Sequence, residues 1–229
     1  MAPLITLSSN LYRPEGVNTD AFAGAGVAQV LDALGLKTAL DYTIKPLAGQ
    51  AGQKTGYLGP ALTVKASPGD NLGVYAAIHN AKPGDVLVIS TTNYTGTGLM
   101  GDLMLMMARN RGIAAIVTDG LIRDSVGMRP VPVPIYCRGV SPNAPSRAAP
   151  AAIGFPISIG GVIVNQGDMV FGDPDGVVIV SPDRASELSE KLPQLLALEQ
   201  AFEKDLDAGM ILKPEIAAFI EQNTSVVDA

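Results

Sequence analysis

The stretch from residue 85 to residue 119 constrains the fold most strongly, because it reads in turn as a strand, a loop, a helix and a strand. VLVIS (86–90) is a continuous apolar and β-branched run that predicts a buried strand. LMGDLMLMMARNRG (99–112) ends in basic residues and glycine, as a helix C-terminus does, and IAAIVTD (113–119) predicts the next strand. The unit therefore predicts parallel strands, a right-handed crossover and an α/β fold.

Other segments extend this pattern on both sides. Residues 20–34 are rich in alanine, with apolar residues at helical spacing, and predict a helix capped by Asn18 or Thr19. The remaining predicted strands are 59–66, 133–137, 156–159, 161–164, 168–172 and 176–180. The remaining predicted helices are 70–81, 183–208 and 214–222. Between the strands at 133–137 and 156–159 the sequence is rich in proline and predicts a long loop.

Composition bears on the partners of the chain. With 229 residues, the chain is long enough for one domain or two. Charged residues make up 17% and tryptophan is absent, so we expect other subunits to cover much of the surface. The net charge of −6 argues against a face that binds nucleic acid, because phosphate contacts come from clustered Lys and Arg. A small acidic substrate needs only one well-placed arginine.

One cysteine, Cys137, and one histidine, His79, limit the possible chemistry. They exclude an internal disulfide framework and a zinc site built from Cys and His. Any metal would be held by carboxylates and water, which suits Mg²⁺ or Mn²⁺. We expect Cys137, in a β run, to be a small buried apolar group. The first residues lack the pattern of a signal peptide, and no apolar run reaches about 18 residues, so we expect a cytoplasmic protein.

Three charged residues of the βαβ unit are candidates for chemistry. Asp102 lies near the start of the 99–112 helix, while Arg123 and Asp124 follow the next strand. Helix starts and strand ends meet at the carboxyl edge of such a sheet, where ligands bind. Backbone amides of the first helical turn, at Leu103 and Met104, favour an anion. Arg123 suits a carboxylate, Asp124 can hold a divalent cation, and Asp102 can orient its water.

Each candidate also has a purely structural interpretation. An acidic residue such as Asp102 can simply stabilise a helix start. A neighbouring pair such as Arg123 and Asp124 is often an exposed ion pair in a loop. GTGLMG (96–101) lacks the Lys-Ser/Thr ending of a phosphate-binding P-loop, and Lys65 alone approaches the buried strand position of a Schiff-base lysine. The residues themselves leave these alternatives open.

The order and spacing of the motifs resemble those of the 4-hydroxy-4-methyl-2-oxoglutarate aldolases and the related regulator of ribonuclease activity A. The motif of that family is an Asp, twenty residues and then Arg-Asp, here Asp102, 103–122 and Arg123-Asp124. The resemblance covers roughly residues 24–209. Further similar segments are GPALTV (59–64), PGDNLGVYAAI (68–78), KPGDVLVIS (82–90), GGVIVNQGDMVFGDPDGVVIV (160–180) and ALEQAFEKDLDAG (197–209).

The resemblance implies an RraA-like α/β sandwich with a swivelling β/β/α-type core, a mixed sheet and C-terminal helices. Residues 1–229 would form a single domain. Its helical extension, 183–229, would pack on a neighbouring subunit. Such proteins assemble as homotrimers or hexamers, with sites between subunits.

The resemblance also implies a metal-dependent aldolase that cleaves a 4-hydroxy-2-oxo acid to pyruvate and a second oxo acid. The metal would be Mg²⁺, with Mn²⁺ or Co²⁺ as alternatives. Asp124 would be its direct ligand, and Asp102 would hold bound water. Arg123, with the backbone of Gly101, Leu103 and Met104, would bind the pyruvate end. Oxaloacetate decarboxylation passes through the same pyruvate enolate, so that activity is expected too.

A glutamate from the C-terminal helix of a neighbouring subunit would complete the site. Glu199 aligns best, and Glu203 is the alternative. Residues 129–154 follow the family only loosely, so we expect them to shape the far part of the substrate pocket, and the native 2-oxo acid stays open. Another lyase or hydratase on the same scaffold is one alternative function. The other is a non-catalytic inhibitor of ribonuclease E, against which the long C-terminal helix argues.

Overall fold

A computed structural model describes residues 3–227, in two compact units that divide between Leu192 and Pro193. The strands are β1 (Ile5–Leu7), β2 (Lys45–Pro46), β3 (Gly56–Lys65), β4 (Val86–Ser90), β5 (Ala115–Thr118), β6 (Leu121–Ile122), β7 (Ile135–Cys137), β8 (Gly139–Val140), β9 (Ala151–Ile153), β10 (Ile157–Ile159), β11 (Val162–Val164), β12 (Met169–Asp173) and β13 (Gly176–Val180). The helices are α1 (Val27–Leu34), α2 (Leu72–Asn80), α3 (Asp102–Arg111), α4 (Ser125–Met128), α5 (Ala185–Asp207) and α6 (Pro214–Gln222).

The first unit is built on a mixed sheet whose main path runs β1-β9-β3-β4-β5-β7-β2. Strands β3, β4, β5 and β7 are parallel, whereas β2 and β9 run antiparallel to their neighbours β7 and β3. The first half of β3 pairs with β12, which forms a hairpin with β13. The predicted βαβ unit is confirmed, with Val88 opposite Val117 in parallel register. The carboxyl ends of the parallel strands therefore share one edge.

Both faces of the parallel strands are buried, which explains their continuous apolar sequences. In β4, Leu87 and Ile89 belong to the cluster that includes residues of α2 and α3. Val86 and Val88 belong to the opposite cluster, together with residues of β10, β11, β12 and β13. The fold is therefore a sandwich of helices, mixed sheet and β hairpins, as expected for this fold class.

Helix α3 has glycine at both ends. Gly101 is the N-cap, and Gly112 ends the helix in the left-handed conformation (φ 82°), as a C′ glycine does. The Arg111 guanidinium donates to the Ala81 carbonyl (2.6 Å) and thereby ties the end of α3 to the end of α2. These contacts fix α3 so that its first turn lies at the carboxyl edge of the sheet.

The helix predicted over residues 20–34 is wrong in its first half. Thr19–Phe22 form a single 3₁₀ turn, and the α-helix starts only at Val27. Asn18 precedes the 3₁₀ turn and makes no capping bond with its side chain. The chain bends at Gly24 (φ 76°), Phe22 is fully buried, and Ala23 bridges to Gly56 on β3. Tertiary packing and a glycine thus outweigh the helical preference of the alanines.

The second unit comprises the rest of α5 from Pro193, and α6. Lys213 lies over the ring of Phe202 (4.3 Å from Nζ to the centroid). Several large apolar side chains of this unit are exposed: Leu198, Leu206, Ile211, Leu212, Ile216, Phe219 and Ile220. That the C-terminal extension packs on a neighbouring subunit stays a prediction. Within residues 3–227, no helix has both the length and the apolar character needed to span a membrane.

Candidate active site

A cavity of about 280 Å³ lies at the carboxyl edge of the sheet. Its walls come from four places: the start of α2, the start of α3, the junction between β6 and α4, and the loop that precedes β9. The second and third of these are the places at which the sequence predicts a site. The cavity lies entirely within the first unit.

Asp102 is the first residue of α3 and lies on the cavity wall. Its Oδ1 accepts a hydrogen bond from the Leu103 amide (2.7 Å). Its Oδ2 faces Gly127 of α4 so closely that a Cβ at position 127 would lie 2.1 Å from it. Glycine at 127 therefore leaves the space that the Asp102 carboxylate occupies.

Arg123 and Asp124 are brought to Asp102 by backbone pairing between two loops. The Leu99 amide donates to the Leu121 carbonyl (2.7 Å), and the Arg123 amide donates to the Met100 carbonyl (2.9 Å). The residues after β6 thus run alongside the residues before α3. Asp102 and the pair Arg123-Asp124, which twenty residues separate in sequence, therefore lie near each other at the edge of the sheet.

Arg123 and Asp124 form an ion pair with 3.0 Å between Nε and Oδ2. Both side chains are partly exposed, at 35% and 43%, so the pair itself adds at most about 1 kcal/mol to stability. Asp124 has a left-handed backbone (φ 57°, ψ 39°), and a Cβ on Gly101 would lie 2.2 Å from its Oδ2. The ion pair that the purely structural interpretation of Arg123 and Asp124 expects is therefore present, and both of its residues line the cavity.

The backbone of the α3 start also lines the cavity. Gly101, Leu103 and Met104 all line the cavity. The Leu103 amide, however, already donates to Asp102. A bound carboxylate could use this amide only if Asp102 released it. The Met104 amide belongs to the first turn, whose N–H groups lack carbonyl partners within the helix.

Asp119, which lies just before β6, has a structural role. It is buried and accepts hydrogen bonds from the Thr91 amide (2.6 Å), the Thr91 hydroxyl (2.8 Å) and the Asn93 amide (3.0 Å). Its carboxylate therefore holds the loop after β4, where Thr92 and Asn93 have left-handed backbones. Asp119 supports the edge of the sheet and does not line the cavity.

Sequence reasoning missed Arg147 and its neighbours on the far wall. The Arg147 guanidinium carbon lies 4.4 Å from the centroid of the Tyr75 ring, in a cation–π contact. Arg147 Nε also lies 3.4 Å from Asn71 Oδ1, and all three residues line the cavity. Arg147 occurs in a loop without periodicity. The stretch 129–154 contains three arginines, at 129, 138 and 147, and no local pattern sets Arg147 apart from the other two.

The donor set of the cavity fits a hard cation. It offers the carboxylates of Asp102 and Asp124, each facing a glycine that leaves it room. Within residues 3–227, no three His, Cys, Asp or Glu side chains form a cluster that could hold a metal ion. Two carboxylates suit Mg²⁺, which usually keeps several water ligands, and soft transition-metal sites need other ligands.

The other residues singled out by sequence lie elsewhere. Glu199 and Glu203 are on the part of α5 that belongs to the second unit. Cys137 is buried in β7, and burial raises the pKa of its thiol to about 11, partly offset by a hydrogen bond with the Gly139 backbone. A thiol in this state is a poor nucleophile at neutral pH, as expected from the sequence.

Comparison with known proteins gives matches over most of the chain. The sequence model of the RraA-like family, described as Aldolase/RraA, matches residues 27–179. A protein of Halalkalibacterium halodurans, named "Putative 4-hydroxy-4-methyl-2-oxoglutarate aldolase", is 36% identical over 193 residues, which are 84% of this chain and 89% of that protein.

Solved structures give the same fold. Streptomyces coelicolor RraAS2, described as an unusual member of the RNase ES inhibitor RraA protein family, superposes with a TM-score of 0.70 at 29% identity and covers 87% of this chain and 99% of its own. An uncharacterised protein of Pseudomonas syringae superposes with a TM-score of 0.73 at 23% identity, covering 88% of this chain and 93% of its own. The matching family model and the relative of 36% identity show that this chain belongs to the RraA-like, or Aldolase/RraA, family.

Proposed function

We propose that the protein is a lyase, dependent on a divalent cation, that cleaves a 4-hydroxy-2-oxo acid to pyruvate and a second oxo acid. The observation that carries this proposal is the meeting of Asp102, Arg123 and Asp124 with the first turn of α3 in one cavity. Two carboxylates beside a guanidinium can hold a cation and an anionic substrate together. The name of the Halalkalibacterium relative supports the same reaction.

In this proposal Arg123 binds the carboxylate of the oxo acid. Its Nε faces Asp124 at 3.0 Å, and its other two guanidinium nitrogens remain available as donors for a carboxylate. The Met104 amide at the start of α3 adds a donor on the same wall. Together these groups would orient the oxo acid with its reacting carbons toward the two aspartates.

Asp124 and Asp102 would hold a divalent cation, which we take to be Mg²⁺, with Mn²⁺ or Co²⁺ as substitutes. When bound, such a cation withdraws negative charge from the oxo acid as the carbon–carbon bond breaks. Gly101 and Gly127 keep open the space that the two carboxylates require. Oxaloacetate presents the same oxo acid group, so we also propose decarboxylation of oxaloacetate as a side activity.

Cleavage requires a base that takes the proton from the hydroxyl group on the fourth carbon. We propose a water molecule held between Asp102 and Glu199 of a neighbouring subunit as that base, with Glu203 as the alternative to Glu199. The exposed apolar side chains of the C-terminal unit support assembly as a homotrimer or hexamer, because such a surface is usually buried against a partner.

Arg147 gives the cavity a second guanidinium, from the loop that precedes β9. With Ala144 and Pro145 it belongs to the stretch that follows the family only loosely. We propose that Arg147 contacts a second carboxylate at the far end of the substrate. The preferred substrates would then be oxo acids with two or more carboxylates.

The direct test is to incubate the purified protein with a panel of 2-oxo acids and Mg²⁺ and to measure the release of pyruvate. We expect release from 4-hydroxy-4-methyl-2-oxoglutarate and from oxaloacetate, lost on addition of EDTA and restored by excess Mg²⁺. Absence of pyruvate from every compound, with a folded protein and each candidate cation, would contradict the proposal.

Inhibition of a ribonuclease is the second candidate function. It is favoured by the likeness to RraAS2, which covers almost all of that chain. A pull-down with ribonuclease E, run beside the pyruvate assay, separates the two functions. Binding and inhibition of the ribonuclease without release of pyruvate would favour the inhibitor.

A further inference from the structure

The far wall of the cavity is held in place by one buried aspartate outside it. The wall belongs to the edge loop, which we define as residues 141–149. Backbone bonds fasten the loop at three residues. The Ser141 amide donates to the Ile122 carbonyl (2.8 Å), and the Asn143 carbonyl accepts from the Gly98 amide (2.9 Å). Ser146 donates to the Gly69 carbonyl (2.8 Å) and accepts from the Asn71 amide (3.0 Å). Asp70, next to Gly69, adds three further bonds to the loop, at Ser146, Ala148 and Ala149.

Asp70 is 2% exposed, and its carboxylate receives four hydrogen bonds. Oδ1 accepts from the Leu72 amide (2.9 Å) at the start of α2. Oδ2 accepts from the Ser146 hydroxyl (2.7 Å), the Ala148 amide (2.6 Å) and the Ala149 amide (3.0 Å). The three loop donors stand on both sides of Arg147.

We infer that Asp70 is a positioning residue for substrate selection: it clamps the edge loop around Arg147 and so keeps that guanidinium in the cavity. The inference rests on the proposed function, because the clamp affects substrate selection only if the substrate has a second carboxylate for Arg147 to bind. It follows that the preference for such substrates depends on a residue that touches no part of them.

The donor pattern around Asp70 requires a carboxylate. Every group that faces the Asp70 carboxylate is a hydrogen-bond donor. The side-chain amide of an asparagine at position 70 would therefore place its NH₂ group against a donor in either orientation. Burial raises the pKa of Asp70, but the hydrogen bonds from Ala148, Ser146, Leu72 and Ala149 together bring it below its usual value. The side chain is therefore ionised at neutral pH. Asp70→Asn removes the charge that strengthens all four bonds and leaves an acceptor for only one set of donors, so it should loosen the edge loop or the start of α2.

The test measures binding rather than turnover. Full-length protein with Mg²⁺ is titrated with pyruvate and with 2-oxoglutarate, which adds a second carboxylate, in a calorimeter. We expect wild type to prefer 2-oxoglutarate, and both Asp70→Asn and Arg147→Ala to reduce that preference roughly tenfold, the size of one charged hydrogen bond. Binding of pyruvate should change little.

The double variant decides between positioning and general damage. If Asp70 acts through Arg147, the pair of substitutions weakens 2-oxoglutarate binding no more than Arg147→Ala does alone. Additive losses, or an unchanged preference in Asp70→Asn, would overturn the inference. Asp168→Asn is the matched control. Asp168 is also buried, and it accepts a hydrogen bond from the amide of Asn165, which lies outside the edge loop.

Two further measurements keep the result decisive. If Asp70→Asn does not fold, Ser146→Ala removes one loop bond without leaving a mismatched donor, and it should shift the preference in the same direction by a smaller factor. An unchanged preference in Ser146→Ala would then count against the clamp. If wild type binds neither pyruvate nor 2-oxoglutarate, the proposed function fails, and the inference fails with it. If wild type binds both and the preference is unchanged in the Asp70 variant, only the inference fails.

Discussion

Gly127 lies against the carboxylate of Asp102 so closely that a methyl group at position 127 would overlap Oδ2, at 2.1 Å. The glycine is in α4, and the aspartate begins α3. The contact links the start of α3 to α4, the helix that follows Asp124. Position 127 therefore controls where the Asp102 carboxylate can lie, although glycine has no side chain of its own.

We predict that Gly127→Ala lowers kcat roughly tenfold or more, because Asp102 must rotate away from its place. The free energy of unfolding should fall by no more than about 3 kcal/mol. Steady-state release of pyruvate and thermal unfolding provide the measurements. Gly26→Ala is the matched control, since its added Cβ would meet the Asp173 carboxylate at an ordinary 3.5 Å. Equal kcat values for wild type and Gly127→Ala would show that the position of Asp102 is unimportant.

Asp124→Ala should abolish metal-dependent decarboxylation of oxaloacetate while the protein stays folded. The folded state loses a partly exposed ion pair, worth about 0–1 kcal/mol, and alanine tolerates the left-handed backbone of position 124 somewhat less well than aspartate. The measurements are pyruvate release with Mg²⁺ and binding of Mn²⁺ followed by electron paramagnetic resonance. Asp32→Ala removes an exposed carboxylate from α1 and should behave like wild type. A folded Asp124→Ala protein with normal turnover would remove Asp124 from the reaction.

Arg123→Lys keeps the positive charge and loses the planar fork of donors. We expect KM for oxaloacetate to rise roughly tenfold or more, which corresponds to a charge-assisted hydrogen bond of about 1.5–3 kcal/mol. Arg129→Lys serves as control, because Arg129 contacts the Ala48 carbonyl and does not line the cavity. Wild-type KM in Arg123→Lys would mean that charge alone suffices at this position.

Cys137 should resist alkylation in the native protein. Burial raises the pKa of its thiol to about 11 from an ordinary 9.0, so the reactive thiolate fraction at pH 8 falls roughly a hundredfold. Because the pKa is raised, the thiol stays protonated as pH increases to about 11. Mass spectrometry after treatment with iodoacetamide checks this, with the protein unfolded in guanidinium as the reference. Rapid labelling of native protein would place Cys137 in a different environment.

Two inactive variants should complement each other if the site lies between subunits. Asp124→Ala and Glu199→Gln, unfolded and refolded together, would form mixed oligomers in which some sites have both intact residues. We expect activity to return on mixing, and Glu203→Gln alone to remain active. If instead Glu203→Gln alone is inactive and regains activity on mixing with Asp124→Ala, the role belongs to Glu203. Mixtures that stay inactive with both glutamate variants argue for sites within single subunits.

The sequence predicted best the elements whose local pattern agrees with their packing. Strand β4 has the predicted bounds because all five of its residues are buried on a two-faced sheet, which selects a continuous apolar run. Helix α6 also has the predicted bounds, since Pro214 suits the first turn of a helix. Asp102, Arg123 and Asp124 could be placed in one region for a topological reason: parallel strands bring their carboxyl ends to one edge.

The features that escaped prediction depend on contacts distant in sequence. The 3₁₀ turn at Thr19–Phe22 ends where Ala23 pairs with Gly56 of β3, and nothing between residues 20 and 34 encodes that partner. Arg147 lies between Ser146 and Ala149, which bind Asp70, a residue 76 to 79 positions earlier in the chain. Neither contact leaves a periodic trace in the sequence, so neither could be read from a local pattern.

The way in which the edge loop is fastened has an evolutionary consequence. Apart from the Ser146 hydroxyl, the groups of the loop that bind Asp70 are peptide N–H groups, and nearly any amino acid supplies those. Mutations at positions 144, 145 and 147 can therefore accumulate without unfastening the loop. New substrate ranges could arise by mutation in this one stretch, while the residues that we propose for bond cleavage stay unchanged.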